Sequence, residues 1–221
     1  MRKKRTAGPR PRPAGDGFTL VELLAVIAII AIISAFAVPA VKGMLEGNHV
    51  TRGQQTLEQT LTIARQTAVS QNRRVEVRLY KYDDPDLVGS EKYYRGIRLF
   101  LRGEDTAAKD PWKPLGKLVK LPGNLVINEN SEASPLLESD DAPATEKLPG
   151  IEKIEKMSVF QFRPDGSMTR PDGSKTLAAS ENFLSAHSAR STKEAEAKTL
   201  PPDFVVVQID PASGSIRSYR P

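Results

Sequence analysis

The sequence contains no cysteine among its 221 residues. This absence excludes disulfide bonds, cysteine nucleophiles and thiolate metal ligands, although it does not identify a compartment, because a secreted domain can fold without disulfides. Histidine is scarce as well: His49 and His187 are far apart, and neither lies at a spacing typical of metal ligands. The sequence also has no glycine-rich phosphate-binding loop and no nucleophile elbow. These absences argue against an enzyme and predict neither a cofactor nor a metal site.

The chain after residue 17 has no excess of charge of either sign. The whole chain has a formal charge of +5, and residues 1–17 alone contain six basic residues against the single acid Asp16. The remaining residues therefore sum to zero. The basic character belongs to a short N-terminal segment rather than to a binding face for nucleic acid.

Residues 18–38 form a long apolar segment in which only Thr19, Glu22 and Ser34 are polar. As a helix this segment would span about 31 Å, close to the roughly 30 Å hydrocarbon thickness of a bilayer. One alternative is a buried core helix, but such helices are rarely apolar on every face. Another is a secretory signal peptide, but the segment is too long and no small-x-small cleavage motif follows it. We predict a membrane helix, with the basic N-terminus in the cytoplasm.

Glu22 is the single acid in this segment. A carboxylate near the middle of a membrane helix costs about 2.5–3.5 kcal/mol on insertion scales, and less near an end. No cation lies near Glu22 in the sequence, but cleavage between Gly17 and Phe18 would create one, the free amine of Phe18. That amine would lie at nearly the same depth as Glu22. It could pair with Glu22 of its own chain, one turn away, or of a neighbouring subunit displaced along the helix axis.

The residues Gly-Phe-Thr-Leu-Val-Glu-Leu-Leu at 17–24, after a basic leader, resemble the type III signal of type IV pilins and type II secretion pseudopilins. The resemblance implies that prepilin peptidase cuts after Gly17 and that Phe18 is then N-methylated. It implies that Glu22 pairs with the N-terminal amine of a neighbouring subunit as a filament grows, and that Pro39 kinks the helix. The implied partners are prepilin peptidase, other pilin or pseudopilin subunits, and an inner-membrane assembly platform.

The residues after the apolar segment predict a continued but perturbed helix. A proline and three glycines weaken its interior, so it is either bent or partly unwound there (Pro39, Gly43, Gly47 and Gly53). From Gln54 to Gln71, apolar residues then recur at helical spacing (Leu57, Leu61, Ala64 and Ala68). This stripe predicts an amphipathic helix that packs on the globular part of the chain. The chain thus divides into a leader, a membrane helix, a helix extension and a globular domain (residues 1–17, 18–38, 39–72 and 73–221).

After Asn72 the apolar residues alternate with a period of two, which is typical of half-buried antiparallel strands. The clearest alternations lie at Val75–Leu79 and Ile97–Leu101. Further strand candidates are Gly116–Leu121, Leu125–Asn128, Ser158–Phe162 and a closing hairpin of Phe204–Ile209 with Ser215–Tyr219. We therefore expect an α+β protein of pilin-like fold, in which a long N-terminal transmembrane helix spine packs on a C-terminal antiparallel sheet.

Two polar segments predict surface insertions. Residues 129–150 are acidic and rich in serine, alanine and proline, and residues 171–202 are polar, with a possible short helix around Ser180–Lys198. We expect both segments to be mobile or loosely docked. Between them, Arg-Pro-Asp-Gly-Ser occurs at 163–167 and again at 170–174. Because Pro-Asp-Gly is typical of turns, two adjacent turns are expected, with a recognition loop as the alternative.

The order of the later motifs is similar to that of the H-type minor pseudopilins of type II secretion and the related fimbrial T proteins. These motifs lie at residues 64–75, 162–167 and 213–217. The resemblance implies a minor subunit of a pseudopilus in the inner membrane, with its C-terminal domain in the periplasm. The alternative is a minor pilin of a type IV pilus or a competence filament, with Arg217 and Arg220 beside Tyr219 as DNA contacts. The neutral charge after residue 17 argues against a nucleic-acid partner.

Two smaller features of the sequence each allow two interpretations. Asp83, Asp84 and Asp86 surround Pro85 and predict a solvated acidic turn, with a calcium site as the alternative. Trp112, the one tryptophan of the chain, is expected to pack in the core, with a role in binding as the alternative.

Overall fold

The computed structural model describes residues 18–84, 92–104, 111–137, 139–141, 147–171, 181–189 and 200–220, with the side chains of residues 36–47 and 139–141 left out. The predicted leader, Asp86 and most of the second Arg-Pro-Asp-Gly-Ser motif lie outside the described residues. The chain divides into two compact units, Met1–Met44 and Leu45–Pro221, which we describe separately.

One helix and ten strands make up the regular structure of the described residues. They are α1 (Leu20–Ser70), β1 (Val75–Tyr82), β2 (Tyr93–Arg102), β3 (Trp112–Lys120), β4 (Leu125–Ile127), β5 (Ser139–Asp141), β6 (Ile154–Phe162), β7 (Met168–Thr169), β8 (Phe183–Ser188), β9 (Val205–Ile209) and β10 (Ile216–Tyr219). The α+β class expected from the sequence is therefore confirmed.

Helix α1 runs without interruption from Leu20 to Ser70, so the proposed partly unwound segment after Pro39 is wrong. Within the second unit, the four residues of the predicted apolar stripe are fully buried (Leu57, Leu61, Ala64 and Ala68). Gly53 extends this packed face, because a Cβ atom there would overlap the side chain of Leu125. The predicted amphipathic helix and its packing on the sheet are thus confirmed for this part of α1.

All strand pairs of the sheet are antiparallel, in the order β10-β9-β8-β4-β2-β1-β6-β5, with β3 also paired to β2 and β7 to β6. The alternating residues of β1 explain the main core: Val75, Val77 and Leu79 are buried in the cluster that contains the stripe of α1. The alternate residues Tyr80 and Tyr82 lie in a second, smaller cluster with Leu148. The predicted hairpin is confirmed as β9 and β10.

The helix predicted around Ser180–Lys198 is wrong where the structure describes this region. Residues Phe183–Ser188 form β8, which lies inside the sheet between β4 and β9. Five of its six side chains are buried, so β8 shows no alternation of inward and outward residues. The sequence of β8, Phe-Leu-Ser-Ala-His-Ser, lacks the alternation of apolar and charged residues by which β1 and β2 were predicted.

The segment 129–150 is also docked more firmly than expected. Leu136 and Leu137 belong to the main core cluster. Ser134 is fully buried, and its hydroxyl accepts a hydrogen bond from the backbone N–H of Ser185 at 3.0 Å. Residues Ser139–Asp141 pair with β6 as β5. The prediction of a loosely docked insertion is therefore wrong for these residues.

Two expectations about single side chains are corrected. Trp112 begins β3 and is only half-buried, outside the core clusters, because β3 lies on the rim of the sheet. Asp84 does not lie in a solvated turn but is 2% exposed. Its carboxylate oxygen Oδ2 lies 3.4 Å from Nε of the buried Arg95, and Oδ1 lies 3.5 Å from Nζ of Lys120. An ion pair formed across the sheet replaces the expected contact with water.

Candidate functional site

The first turn of α1 brings together Thr19 and Glu22. The backbone N–H and the hydroxyl of Thr19 each donate a hydrogen bond to Oε2 of Glu22 at 2.9 Å. In return, the hydroxyl of Thr19 accepts a hydrogen bond from the backbone N–H of Glu22 at 3.2 Å. This reciprocal pattern is a capping box, which satisfies backbone donors that a helix start otherwise leaves unpaired.

The capping box was missed in the sequence analysis, although its signal was present. Thr-x-x-Glu directly before an apolar segment is the sequence pattern of this motif. Glu22 thus has a role within its own chain that does not depend on a neighbour. Both of its hydrogen bonds use Oε2, so within the described residues Oε1 has no partner.

The start of α1 exposes a continuous apolar surface in the single chain. Large apolar side chains between residues 18 and 33 are 44–81% exposed, with Phe18 and Leu20 at the upper end. A surface of this kind marks contact with another protein or with lipid. In the part of the chain that the structure describes, no helix has both the length and the apolar character needed to cross a membrane.

The other predicted residues of the N-terminal site are only partly described. Gly17 lies outside the described residues. Phe18 and Thr19 precede the helix, and Phe18 is 81% exposed. Pro39 lies within the continuous α1, and its side chain is outside the description. Cleavage after Gly17, methylation of Phe18 and a kink at Pro39 remain predictions.

A second cluster joins the three later motifs that the sequence analysis had singled out. Arg65, on α1, donates a hydrogen bond from Nε to the carbonyl oxygen of Ser213 at 2.8 Å. Gly166 and Gly214, each with a positive φ, lie directly beside the Arg65 side chain. The backbone N–H of Met168 also donates to the carbonyl oxygen of Pro211 at 2.9 Å. The structure therefore brings residues from 64–75, 162–167 and 213–217 together at one end of α1.

The first Arg-Pro-Asp-Gly-Ser motif forms the predicted turn, between β6 and β7. The backbone N–H of Arg163 donates to the carbonyl oxygen of Ser167 at 2.8 Å, and Gly166 has a φ of 84°. Asp165 accepts hydrogen bonds from the side chain and the backbone N–H of Ser167, which together lower the pKa of the Asp165 carboxyl. The turn serves packing, since its glycine lies against Arg65.

The residues considered for metal and DNA binding differ in burial and in the contacts that they make. Among the described residues, no group of three or more histidine, cysteine and acidic side chains could hold a metal ion. His187 is buried in β8, whereas His49 is exposed on α1. Arg217 is exposed on the edge strand β10 with Tyr219, while Arg220 donates a hydrogen bond to the hydroxyl of Thr51 at 2.9 Å.

The comparisons with known proteins match the N-terminal region most clearly. Residues 16–38 match the prokaryotic N-terminal methylation motif. No curated protein matches the sequence. Among solved structures, the minor pseudopilin EpsH from the type 2 secretion system of Vibrio cholerae is similar, with 12% sequence identity and a TM-score of 0.40. The match covers 78% of this chain and 97% of that chain.

Proposed function

We propose that this protein is a minor pseudopilin subunit of a type II secretion system. In this proposal, prepilin peptidase cuts between Gly17 and Phe18, and Phe18 is then N-methylated. Residues 18–38 hold the subunit in the inner membrane until they enter the core of a short pseudopilus. The single observation that carries the proposal is the match of residues 16–38 to the N-terminal methylation motif, a segment that includes Gly17, Phe18 and Glu22. The role is structural, with no catalytic residue.

The charge distribution supports the orientation of the precursor. The leader carries the whole net charge of +5. Because basic segments beside a membrane helix stay in the cytoplasm, residues 1–17 would remain there until prepilin peptidase removes them. Residues 73–221 would then lie in the periplasm. The exposed apolar side chains at the start of α1 would contact lipid before assembly and neighbouring subunits after it.

The geometry of Glu22 supports a second, intermolecular role for its carboxylate. An ionised carboxylate has about four acceptor sites, and the capping box uses only Oε2. Oε1 is therefore available to a cation. We propose that it binds the Phe18 amine of a neighbouring subunit, with both charges removed from water. Breaking one half of such a buried pair typically costs about 3–5 kcal/mol.

Substitutions at Thr19 and Glu22 separate helix capping from intermolecular pairing. Glu22→Gln keeps an oxygen acceptor for the cap but removes the charge, whereas Thr19→Ala removes the capping hydroxyl, at a cost of about 1 kcal/mol, and keeps the charge. We expect Glu22→Gln and Glu22→Ala to be inserted and cleaved normally but to enter filaments poorly. Thr19→Ala should enter filaments nearly as well as the wild type.

Crosslinking in membranes that contain each variant measures this incorporation. If Glu22→Gln is incorporated as well as the wild type, Glu22 acts only as a cap and the pairing role is wrong. A Gly17 substitution should instead leave an uncut precursor, visible on a gel. Mass analysis of the native protein should find an N-terminus at methylated Phe18, and an intact Met1 start would overturn the whole scheme.

A second candidate is a minor pilin of a type IV pilus or competence filament that binds DNA through its C-terminus. The exposure of Arg217 and Tyr219 on β10 is the observation in its favour, since an arginine beside an aromatic ring suits a phosphate backbone and stacked bases. A gel-shift experiment with duplex DNA and the full chain in detergent tests this alternative. Binding that falls steeply with salt and is lost in Arg217→Ala would favour it over the secretion subunit.

A further inference from the structure

Four arginine side chains meet at one cavity of the second unit, in a place that the assembly role does not use. The cavity has a volume of about 400 Å³. Its lining includes Arg73, Arg74, Arg102 and Arg163, together with Asn72 and Gly103. The arginines come from three separate segments: the turn after α1, the end of β2 and the turn after β6. No local pattern in the sequence indicates that they are neighbours.

The strand register explains this convergence. Val75, the first residue of β1, pairs with Leu101 of β2 and with Phe162 of β6. Arg74 directly precedes Val75, and Arg102 and Arg163 directly follow its two partners. Because the strands are antiparallel, the three arginines lie at the same end of the sheet. The backbone N–H of Arg102 donates a hydrogen bond to the carbonyl oxygen of Arg74 at 2.9 Å, which fixes this arrangement. The end of the sheet thus places three arginines side by side at the cavity.

The positive charge of this cavity is poorly balanced by the described acids. Glu104 lies 3.7 Å from Nη1 of Arg73, but its side chain is 92% exposed. Asp165 lies 4.0 Å from Nε of Arg163, and its other carboxylate oxygen is bonded to Ser167. Within the described residues, Arg74 and Arg102 have no carboxylate partner. Exposed pairs of this kind contribute little, so the residues that the structure describes give the cavity a net positive charge.

Arg102 supplies a second, independent observation. Its Nε atom is buried and has no hydrogen-bond partner among the described residues. An unsatisfied buried donor is unfavourable, and more so when the group is charged. This donor lies beside three further arginines, so a small anion in the cavity would supply an acceptor for it.

We propose that this cavity binds a phosphate group. A guanidinium group can donate two parallel hydrogen bonds to two oxygens of one phosphate. A phosphate offers three or four oxygens, so arginines from three segments can bind it from several sides, and its double charge offsets the excess in the cavity. A carboxylate offers only two oxygens and one charge. The site is independent of filament assembly, and either proposal can fail without the other.

Calorimetric titration of the full chain, in an uncharged detergent at neutral pH and low salt, tests the proposal with inorganic phosphate. We expect saturable binding to a single site. Arg163→Gln should weaken it at least about tenfold, because a charge-assisted hydrogen bond contributes about 1.5–3 kcal/mol. Arg163 is suited to this test because its side chain is 49% exposed, so the substitution spares the core. Arg217→Gln, which removes the same charge from β10, is the matched control and should bind as the wild type does.

Two further variants test the geometry of the site rather than its charge. Arg102→Lys keeps the charge but loses Nε and the planar fork, so phosphate binding should again weaken, with folding checked by Trp112 fluorescence. Glu104→Gln frees Arg73 from its acidic neighbour, so binding should tighten a few-fold. Equal weakening by Arg163→Gln and Arg217→Gln, or a titration that never saturates, would mean an adventitious ion only and would overturn the proposal.

The source of the phosphate is resolved by comparing inorganic phosphate with glycerol 3-phosphate. Binding of both, in competition, would show that the cavity takes the terminal phosphate of a larger molecule. Binding of inorganic phosphate alone would support a closed site for the free ion. Acetate should bind much more weakly, and equal binding of acetate would overturn the preference for phosphate. Binding of duplex DNA without binding of either phosphate compound would also contradict the proposal.

Discussion

Gly214 packs so closely on Gly166 that a Cβ atom at Gly214 would overlap the carbonyl oxygen of Gly166. The two glycines belong to different turns, one after β6 and one between β9 and β10. Arg65 of α1 lies against both, and its Nε donates to the carbonyl oxygen of Ser213. This contact connects the helix to two distant turns at one end of the sheet. Its residues belong to the three motifs whose order resembles that of pseudopilins. These motifs are therefore explained in part by the packing of the helix on the two turns.

Substitution of Gly214 tests this contact. Gly214→Ala should destabilise the protein by about 1–2 kcal/mol through its left-handed backbone and by about 1–3 kcal/mol more through overpacking. Gly150→Ala is the matched control, because Gly150 has a φ of 77° with nothing within 4 Å of a Cβ atom. Urea unfolding followed by Trp112 fluorescence measures both variants. Equal losses in the two would show that the contact between the turns adds nothing.

A second prediction compares the stability effects of substitutions on the buried and the exposed face of α1. Leu61→Ala should lower the free energy of unfolding by about 2–5 kcal/mol, because Leu61 is fully buried in the main core. Ile63→Ala, two residues away and 51% exposed, should change it by less than about 0.5 kcal/mol. The same urea titration applies. A large loss for Ile63→Ala in the isolated chain would contradict the orientation of α1 on the sheet.

The buried ion pair of Asp84 and Arg95 predicts that loss of a buried charge lowers the free energy of unfolding far more than loss of an exposed one. The guanidinium of Arg95 also donates hydrogen bonds to the carbonyl oxygens of Leu121 and Gly123, at 2.8 and 3.1 Å, so Arg95 stays in place when its partner is lost. Asp84→Asn should therefore cost about 3–5 kcal/mol, because it leaves a buried charge unpaired. The exposed Glu104 gives the control, and Glu104→Gln should cost less than about 1 kcal/mol. Similar losses in both variants would mean that the burial of Asp84 has no energetic effect.

The two histidines provide an internal comparison for pH dependence. Burial lowers the pKa of His187 below its ordinary value of 6.5, against the opposing effects of the Ser188 carbonyl and the charge of Asp203. The unfolded chain therefore takes up a proton at a higher pH than the folded chain does. Stability is full above the unfolded pKa and falls as the pH is lowered from 6.5 towards the lower folded value.

Unfolding measured across this mildly acidic range should thus show a slope that His187→Gln removes and His49→Gln keeps. The comparison uses slopes, because a substitution in the buried strand β8 also changes the absolute stability. Loss of the slope in His49→Gln, or its persistence in His187→Gln, would show that another group controls stability in this range.

Local pattern in the sequence was sufficient for most elements of the fold. The spacing of Leu57, Leu61, Ala64 and Ala68 predicted the buried face of α1, and alternation predicted β1, β2, β9 and β10. These predictions succeeded because apolar residues in each such element recur at a regular spacing among polar or charged ones. The period is visible in the residues themselves, even in β1 and β2, where the structure buries most side chains on both faces. The methylation motif was equally local, since the residues at 17–24 are consecutive.

Only the tertiary structure decided which distant residues became neighbours. β8 was not predicted because its residues do not alternate between apolar and charged, and Ser134 contacts Ser185 from a segment that the sequence suggested was a loop. The contact of Gly166 with Gly214 and the row of arginines beyond Val75 depend on strand register. A period shows which side of an element is buried, but the partner on that side is chosen by the packing of the whole domain.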